Sequence, residues 1–222
     1  MDKRLLSILA IIAAVFVGIA VFSGNSKNNN SSSGSSSQAT NHVQGQGSSG
    51  VKLVEYGDYE CPVCLAYYPL LKQVSAKYNA TIYFQFRNLP LVQVHPNAFA
   101  GARAAEAAGL QNKYWQMHDK LYDNQSAWAT SSSPTSYFNQ YAKDLGLDVS
   151  KFKIDYASSQ VNTAINADLA AFKQTGQDQG TPTFFLDDKY ISNSQLVDQN
   201  GQPSMDKFSQ FIDNEIATKS KQ

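Results

Sequence analysis

Residues 59–69, with the sequence YECPVCLAYYP, contain the only two cysteines of the chain, Cys61 and Cys64. Two thiols three residues apart could form a structural disulfide, contribute ligands to a metal ion, exchange disulfides with another molecule, or have no chemical role. A structural disulfide across so short a segment closes a very small loop, so it removes little entropy from the unfolded chain. Stabilisation alone is therefore a weak reason for this spacing.

A zinc site is also poorly supported. Such a site needs about four ligands, so both cysteines would have to be joined by two histidines. The three histidines of the chain lack the close His-x₃₋₅-His spacing of such sites: His42, His95 and His118. We therefore predict no metal site, and we expect His95 at a helix start and His118 on a helix face, neither as a catalytic residue.

The sequence around the pair favours redox chemistry. A strand and a turn are predicted before Cys61, and a helix after it. The N-terminus of a helix stabilises a thiolate through its unpaired N–H groups and its dipole. Cys64, one turn inside the helix, could then resolve a mixed disulfide formed at Cys61. The pair predicts thiol–disulfide exchange without an added cofactor, the disulfide between the two cysteines being the reagent.

The segment VKLVEYGD, residues 51–58, predicts a strand that ends in a turn at Gly57. Its apolar residues cover both faces, which is typical of a central strand in an α/β sheet. Glu55 then falls on the same face as Leu53, in the middle of the strand. A carboxyl group in this place is expected to be buried, and burial raises its pKa; the alternative is a glutamate at an exposed sheet edge.

The helix after the turn is expected over residues 61–78, because its apolar residues recur at steps of three and four. Pro62 suits the first turn, and Pro69 inside the helix should kink it. The other predicted elements are a strand at 81–88, four or five helices within about 95–176, strands at 183–186 and 189–191, and a last helix at 205–218. Aromatic residues of the helical region, such as Tyr114 and Trp115, are expected in the core.

The N-terminus has a different composition. Lys3 and Arg4 precede an apolar run at residues 5–22, whose eighteen residues would span roughly 27 Å as a helix. Because the basic residues stand before the run, we expect the rest of the chain outside the cytoplasm. Residues 1–22 are predicted to form a single transmembrane anchor; a signal peptide cleaved near Ala20, which would release a secreted protein, is the alternative.

Residues 23–50 are rich in Ser, Asn and Gly and contain almost nothing to bury, so we predict a flexible linker there and a folded domain over residues 51–222. The chain has 18 basic and 18 acidic residues. Since no block of like charge occurs, the sequence gives no indication of nucleic-acid binding.

These features together resemble a known family, the DsbA-like thiol:disulfide oxidoreductases with the thioredoxin fold. The segment GDYECPVC resembles their active-site motif, with Glu55 six residues before Cys61 and Pro69 eight after it. The segment GTPTFFLDDKYI resembles the family's strand that begins after a cis proline, and residues 95–125 resemble its helical insertion. The resemblance implies an α/β, thioredoxin-like fold with an inserted all-helical subdomain at about 95–176, here preceded by an anchor and a disordered linker.

The resemblance also implies roles for individual residues. Cys61 would be the sulfur that attacks or is attacked, and Cys64 the one that resolves. Glu55 would relay a proton for Cys64. Thr181 and Pro182 would be joined by a cis bond, pack against the disulfide and bind an extended substrate, and Thr181 could also hydrogen-bond a thiolate. Pro62 and Val63, between the cysteines, would tune the redox potential.

The implied activity is the introduction of disulfide bonds into reduced exported proteins, by a monomer that a membrane re-oxidase of the DsbB or vitamin-K-epoxide-reductase-like (VKOR-like) type recycles. Val63 replaces the histidine of the best-known DsbA motif, and Asp58 and Glu60 could oppose a thiolate electrostatically. We therefore expect an oxidant weaker than that extreme case. A thioredoxin-like reductase and a non-enzymatic tethered chaperone or binding module remain alternatives.

Overall fold

A computed structural model describes residues 38–221 of the chain. Its centre is one mixed sheet of five strands in the order β1-β3-β2-β4-β5. β2 lies parallel to β3, and the other neighbouring strands pair antiparallel. The strands are β1 (His42–Gln44), β2 (Val51–Gly57), β3 (Ile82–Asn88), β4 (Thr183–Leu186) and β5 (Lys189–Ile191). β2 therefore has a neighbour on each side, as its apolar pattern predicts.

Helix α1 connects the parallel strands β2 and β3, six helices follow β3, and a last helix follows β5. They are α1 (Pro62–Lys77), α2 (Ala98–Gly109), α3 (Tyr114–Asp123), α4 (Gln125–Trp128), α5 (Pro134–Asp144), α6 (Val149–Ala157), α7 (Ser159–Gln174) and α8 (Met205–Lys219). The predicted α/β fold with an inserted helical subdomain is confirmed, since α2 to α7 all lie between β3 and β4. The single-turn helix α4 was absent from the sequence prediction, because four residues are too few to show a periodic pattern.

The predicted linker is wrong in its C-terminal part. The sequence predicts it over residues 23–50, but His42–Gln44 form β1 at the edge of the sheet, in register with Phe84, Gln85 and Phe86. The segment lacks the apolar residues that mark a strand, so its composition resembles that of a linker. Edge strands need only one neighbour and one covered face, and a short polar segment meets that requirement.

Polar contacts hold this segment in place. The Thr40 N–H and hydroxyl donate to the buried Asp168 carboxylate at 2.7–2.9 Å, and the Gln85 side-chain amide donates to the Thr40 carbonyl at 2.9 Å. Glycine permits the turns that follow β1: Gly45 has φ +87°, and a Cβ there would lie 2.3 Å from the Ile82 carbonyl oxygen.

The predicted anchor at residues 1–22 and the linker up to residue 37 lie outside the described residues. Within residues 38–221, no helix combines the length and the apolar character that crossing a membrane requires.

Both faces of β2 are covered, which places its one carboxyl group in the interior. Val51 and Leu53 pack into a core with α1 and α8, and Val54 and Tyr56 pack with α7 on the other face. A third core lies beneath the helical insertion and includes both cysteines. The cysteines therefore lie where the sheet, α1 and the insertion meet.

Candidate active site

Cys61 and Cys64 lie at the N-terminal end of α1. Cys61 is the N-cap residue, with φ −67° and ψ 123°, and the helix begins at Pro62, whose missing N–H leaves no donor unpaired. Cys61 keeps 4% of its surface exposed and Cys64 keeps 0%. Of the two cysteines only Cys61 keeps exposed surface, so attack from outside the protein is directed to Cys61.

The surroundings of Cys61 favour its thiolate. A hydrogen bond from the Cys64 thiol is the largest effect and, against the opposing effect of burial, the pKa of Cys61 is lowered to about 6. The nearby Thr181 hydroxyl and the N–H groups of Cys64 and Val63 lower the pKa of Cys61 further. These N–H groups belong to the first turn of α1, so the helix terminus itself supplies part of the effect.

Cys64 is affected in the opposite sense. Burial raises its pKa well above the usual value of a thiol, and the hydrogen bond that it gives to Cys61 and the charges of Cys61 and Glu55 raise it further. At neutral pH the reduced pair thus holds one thiolate and one thiol. This is the distribution that an attacking and a resolving cysteine require.

Glu55 lies on β2 beneath the pair and is 2% exposed. Burial, with a smaller contribution from the charge of Cys61, raises its pKa to about 8. Among the described residues its carboxyl group has no hydrogen-bond partner. Gly57 closes one side of this site, because a Cβ at Gly57 would lie 2.4 Å from Phe86 Cε2 and 3.2 Å from Glu55 Oε1.

Thr181 and Pro182 are joined by a cis peptide bond and stand beside Cys61. When Cys61 is protonated, its thiol donates to the Thr181 carbonyl oxygen at 3.5 Å. The buried Thr181 hydroxyl has no partner within hydrogen-bonding geometry in residues 38–221, which leaves it able to donate to a thiolate. The Asn193 side-chain amide donates to the Pro182 carbonyl at 2.8 Å and fixes the start of β4.

The structure thus brings all seven predicted site residues together: Glu55, Cys61, Pro62, Val63, Cys64, Thr181 and Pro182. Val63 differs from the others because it is 48% exposed. Its side chain contributes an apolar surface beside Cys61, while its N–H supports the thiolate. The roles of these residues remain predictions.

Asp58 has a function that the sequence did not reveal. Its buried carboxylate accepts hydrogen bonds from the Glu60 N–H at 2.8 Å, the Leu91 N–H at 2.9 Å and His95 Nδ1 at 2.7 Å. The nearby Glu60 carboxylate accepts from the Asn97 N–H at 2.6 Å. The sequence allows both carboxylates to oppose the thiolate electrostatically. In the structure they join the active-site loop to the segment after β3, and neither is among the principal effects on the pKa of Cys61.

Gln125, in α4, is a second residue that sequence reasoning missed. Its buried side-chain amide donates to the carbonyl oxygens of Tyr59 and Cys61 at 2.9 and 3.0 Å. These bonds hold the turn that leads into α1. The only signal in the sequence is a glutamine in a region otherwise rich in aromatic residues, which does not indicate its partner. No group of three or more potential metal-ligating side chains occurs in the described part of the chain.

Comparisons with known proteins agree with this geometry. A family model described as thioredoxin matches residues 37–214, most of the chain. Among solved structures, a thioredoxin-like oxidoreductase from Silicibacter pomeroyi is similar with 25% identity and a TM-score of 0.60, over 78% of this chain and 90% of that one. BdbD from Bacillus subtilis is similar with 20% identity and a TM-score of 0.66, over 81% and 96%. The α-DsbA1 protein from Wolbachia pipientis is similar with 16% identity and a TM-score of 0.65, over 81% and 92%.

Curated relatives carry a different name. Na⁺/H⁺ antiporters NhaA 1 from Mycolicibacterium vanbaalenii and Salinispora arenicola are 35% and 37% identical over 147 residues, which is 65% of this chain. This chain spans only 23% and 21% of their length, so the similarity concerns a part of those proteins. The family-model match makes the chain a member of the thioredoxin family, and its fold is that of the DsbA-type thiol–disulfide oxidoreductases.

Proposed function

We propose that this protein is an extracytoplasmic thiol:disulfide oxidoreductase that introduces disulfide bonds into exported proteins. The observation that carries the proposal is the opposite shift of two neighbouring thiols, with the pKa of Cys61 lowered to about 6 and that of Cys64 raised. A substrate thiolate attacks Cys61 in the oxidised pair, and Cys64 leaves and takes a proton. A second substrate thiolate then attacks the substrate sulfur of the mixed disulfide and releases Cys61 as a thiolate.

The strength of the oxidant follows from the stability of the reduced pair. At pH 7 a thiol with a pKa of about 6 favours the reduced form by roughly 1.4 kcal/mol, or about 30 mV, before screening by solvent reduces the effect. This pKa lies between those of thioredoxin, about 7, and DsbA, about 3.5. We therefore expect a potential between their values of roughly −270 and −120 mV.

The pKa of Cys61 also supports a second candidate function, a thioredoxin-like reductase. Its value of about 6 is closer to the pKa of the attacking cysteine in thioredoxin than to that in DsbA. Equilibration of the full chain with glutathione buffers at pH 7 separates the two. A potential at least about 30 mV above that of thioredoxin supports the oxidase direction. A potential equal to or below it would make the protein a reductase.

Location and partners belong to the same proposal. The basic residues before the apolar run at 5–22 support a single membrane anchor with the domain outside the cytoplasm, with secretion after signal cleavage as the alternative. Reduced exported proteins would be the substrates of this monomer, and a DsbB- or VKOR-like membrane protein would re-oxidise it, so that no bound cofactor is needed. Antiporter activity is not proposed, because the match covers less than a quarter of the two antiporters.

Oxidative refolding of a reduced protein with several disulfides tests the activity directly. The oxidised wild type should accelerate refolding, and Cys61→Ser should abolish the acceleration. With glutathione disulfide present as the oxidant, Cys64→Ser should accumulate a mixed disulfide with the substrate through Cys61. Equal refolding yields for wild type and Cys61→Ser would instead indicate a tethered chaperone or binding module.

A further inference from the structure

A small cavity lies between the sheet, α1 and α3. It has about 20 Å³ of room for water, close to what one water molecule needs. Glu55 lines it from β2 and His118 from α3. A surface depression of about 190 Å³ shares four of the lining residues: Gln44, Lys72, Ser75 and Asp119. The cavity therefore leads from the buried carboxyl group of the active site towards the surface.

His118 occupies an unusual place for a polar side chain. It is surrounded by five aromatic rings, whose centroids lie 5.0–5.8 Å from its own: Tyr59, Tyr68, Phe86, Trp115 and Tyr122. Its Nδ1 lies 3.3 Å from Asp119 Oδ1, while its buried Nε2 has no partner among the described residues. Burying a nitrogen without a hydrogen bond is costly, and a phenylalanine would fill the same space without that cost. Packing alone therefore does not explain a histidine here.

The charges around His118 define its protonation. Burial opposes the ionisation of Asp119, but the hydrogen bonds of His118 and Lys72 and the charge of Lys72 outweigh it and lower the pKa of Asp119. An ionised carboxylate can only accept, so Nδ1 must carry the proton that it shares with Asp119. Burial lowers the pKa of His118, so the ring is neutral at pH 7. Nε2 is thus left with a free electron pair.

We propose that His118 carries protons between Glu55 and the solvent through this cavity, with Nε2 as the exchanging atom and Asp119 holding the imidazole in position. The proposal rests on the thiol–disulfide exchange proposed above, and it assigns His118 to a role that acts through Glu55 rather than on the sulfurs. Asp119 is partly exposed, so it forms the solvent end of this proton-transfer path.

Re-oxidation of the reduced pair by glutathione disulfide illustrates the steps. The Cys61 thiolate attacks one glutathione sulfur, a mixed disulfide forms, and the first glutathione leaves as a thiolate. The negative charge of Cys61 that helps to raise the pKa of Glu55 is now gone, so Glu55 releases its proton through the cavity water to Nε2 of His118. The imidazolium passes the Nδ1 proton to the solvent beside Asp119, which leaves the ring protonated at Nε2 until reduction of the pair reverses the transfer and restores the starting tautomer.

The ionised Glu55 then takes the proton of Cys64. The Cys64 sulfur attacks Cys61, the disulfide of the pair forms, and the second glutathione leaves as a thiolate. Two electrons pass from the cysteines to glutathione disulfide, and one proton travels from Cys64 to the solvent. Reduction of the pair follows the same path in reverse.

Several other groups could influence this proton transfer. The titratable or charged groups that surround His118 are Tyr59 from the active-site loop, Tyr68 and Lys72 from α1, Asp119, Tyr122 and Asp123 from α3, and Glu55 across the cavity. Lys72 is already bonded to the Tyr68 hydroxyl at 3.1 Å and to Asp119 at 3.2 Å. Among all these groups, His118 is the one with a buried nitrogen that lacks a partner.

The test follows the lifetime of the mixed disulfide. Reduced full-length protein reacts with excess glutathione disulfide at pH 7, samples are quenched with acid, and mass spectrometry separates the reduced, mixed and oxidised forms. In His118→Phe, resolution by Cys64 should slow by roughly tenfold, less than for loss of a general base itself, because water in the cavity still reaches Glu55. The solvent isotope effect on the resolution step should increase in this variant. The equilibrium redox potential should stay unchanged, because a proton relay alters the rate of exchange and not the relative stability of the reduced and oxidised forms.

His42→Phe is the matched control. His42 also bonds a carboxylate, Glu106, at 2.8 Å, but it does not line the cavity, so its loss should leave the resolution rate unchanged. Equal slowing in both variants, or no slowing in His118→Phe, would overturn the proposal. Should His118→Phe fail to fold, Asp119→Asn gives the second test, because it removes the carboxylate that stabilises the imidazolium. Resolution that slows by about threefold, as expected for the loss of a partly exposed ion pair, supports the path, and an unchanged rate contradicts it.

The outcomes are separate from those for the proposed function. If wild-type protein exchanges no disulfide with glutathione, the proposed function fails. If wild type exchanges normally and His118→Phe resolves as fast, only the relay fails.

Discussion

The end of β2 and the loop that follows it carry two buried carboxyl groups in contrasting environments. Glu55, 2% exposed, has no hydrogen-bond partner among the described residues, and burial raises its pKa to about 8. Asp58, 1% exposed, accepts from two backbone N–H groups and from His95. Because the two carboxyl groups are equally buried, their different environments are due to their hydrogen-bond partners. A carboxyl group without partners can exchange a proton near neutral pH, and one with three partners holds a loop in place.

The largest expected effect is the pH dependence of stability that Glu55 causes. In the oxidised protein neither cysteine titrates, so the contribution of Glu55 is separated from that of the thiols. Its folded pKa is raised from 4.5 towards about 8, so its contribution is fully present below pH 4.5 and is lost as the pH rises through the folded pKa. The loss should reach roughly 3–5 kcal/mol at about 1.4 kcal/mol per pH unit.

Denaturant unfolding at pH 5, 6.5 and 8 measures this loss, and Glu55→Gln should remove most of the slope. Without the charge of the Cys61 thiolate, the transition should end somewhat below pH 8. A stability that increases over this range, as for an ordinary ion-paired carboxylate, would mean that Glu55 has partners like those of Asp58.

The second effect concerns the other carboxyl group. Asp58→Ala leaves the N–H groups of Glu60 and Leu91 without their acceptor in a buried loop, and this should cost about 3 kcal/mol. Asp58→Asn keeps one acceptor oxygen and should cost about half as much. Both variants are measured by denaturant unfolding at pH 7. A loss below about 0.5 kcal/mol in Asp58→Ala would show that the loop does not depend on the carboxylate.

This contrast also shows what a sequence can reveal. The period of β2 predicts that Glu55 is buried, because burial on a strand follows from which face a residue occupies. Two of the three partners of Asp58, Leu91 and His95, lie 33 and 37 positions away, and His118 reaches the cavity from the helical insertion. Periodicity predicts the element and the face of a residue, but it does not predict which distant side chain meets it. The architecture was therefore predictable, while the hydrogen-bond network of the site was not.

The edge strand β1 was missed for a related reason. Its segment contains few apolar residues, and its position depends on hydrogen bonds from Thr40 to Asp168, 128 positions away. Composition identifies segments that cannot build a core of their own. It does not identify polar segments that an existing core and its buried carboxylates hold in place.

The third effect is kinetic. Glu55→Gln should slow the resolution of a mixed disulfide by roughly 10²-fold, because Cys64, whose own pKa is raised, loses its proton acceptor. Stability at pH 7 should stay the same or increase, since the cost of burying an ionisable group is removed. Quenched-flow alkylation gives the rate. If Glu55→Gln slows resolution no more than Asp58→Asn does, the proposed difference in role between the two carboxyl groups is contradicted.

The smallest effect comes from His95, the side-chain partner of Asp58. His95→Leu removes one of three donors to the carboxylate and should destabilise the protein by about 1 kcal/mol. His95→Asn, whose side-chain amide can take the position of Nδ1, should recover much of that loss. Because the two backbone donors keep the loop in place, the pH profile of Cys61 alkylation should stay that of the wild type in both variants. A shifted profile would show that His95 acts on the thiolate, and the carboxylate that it contacts would then belong to the chemistry of the site and not only to its scaffold.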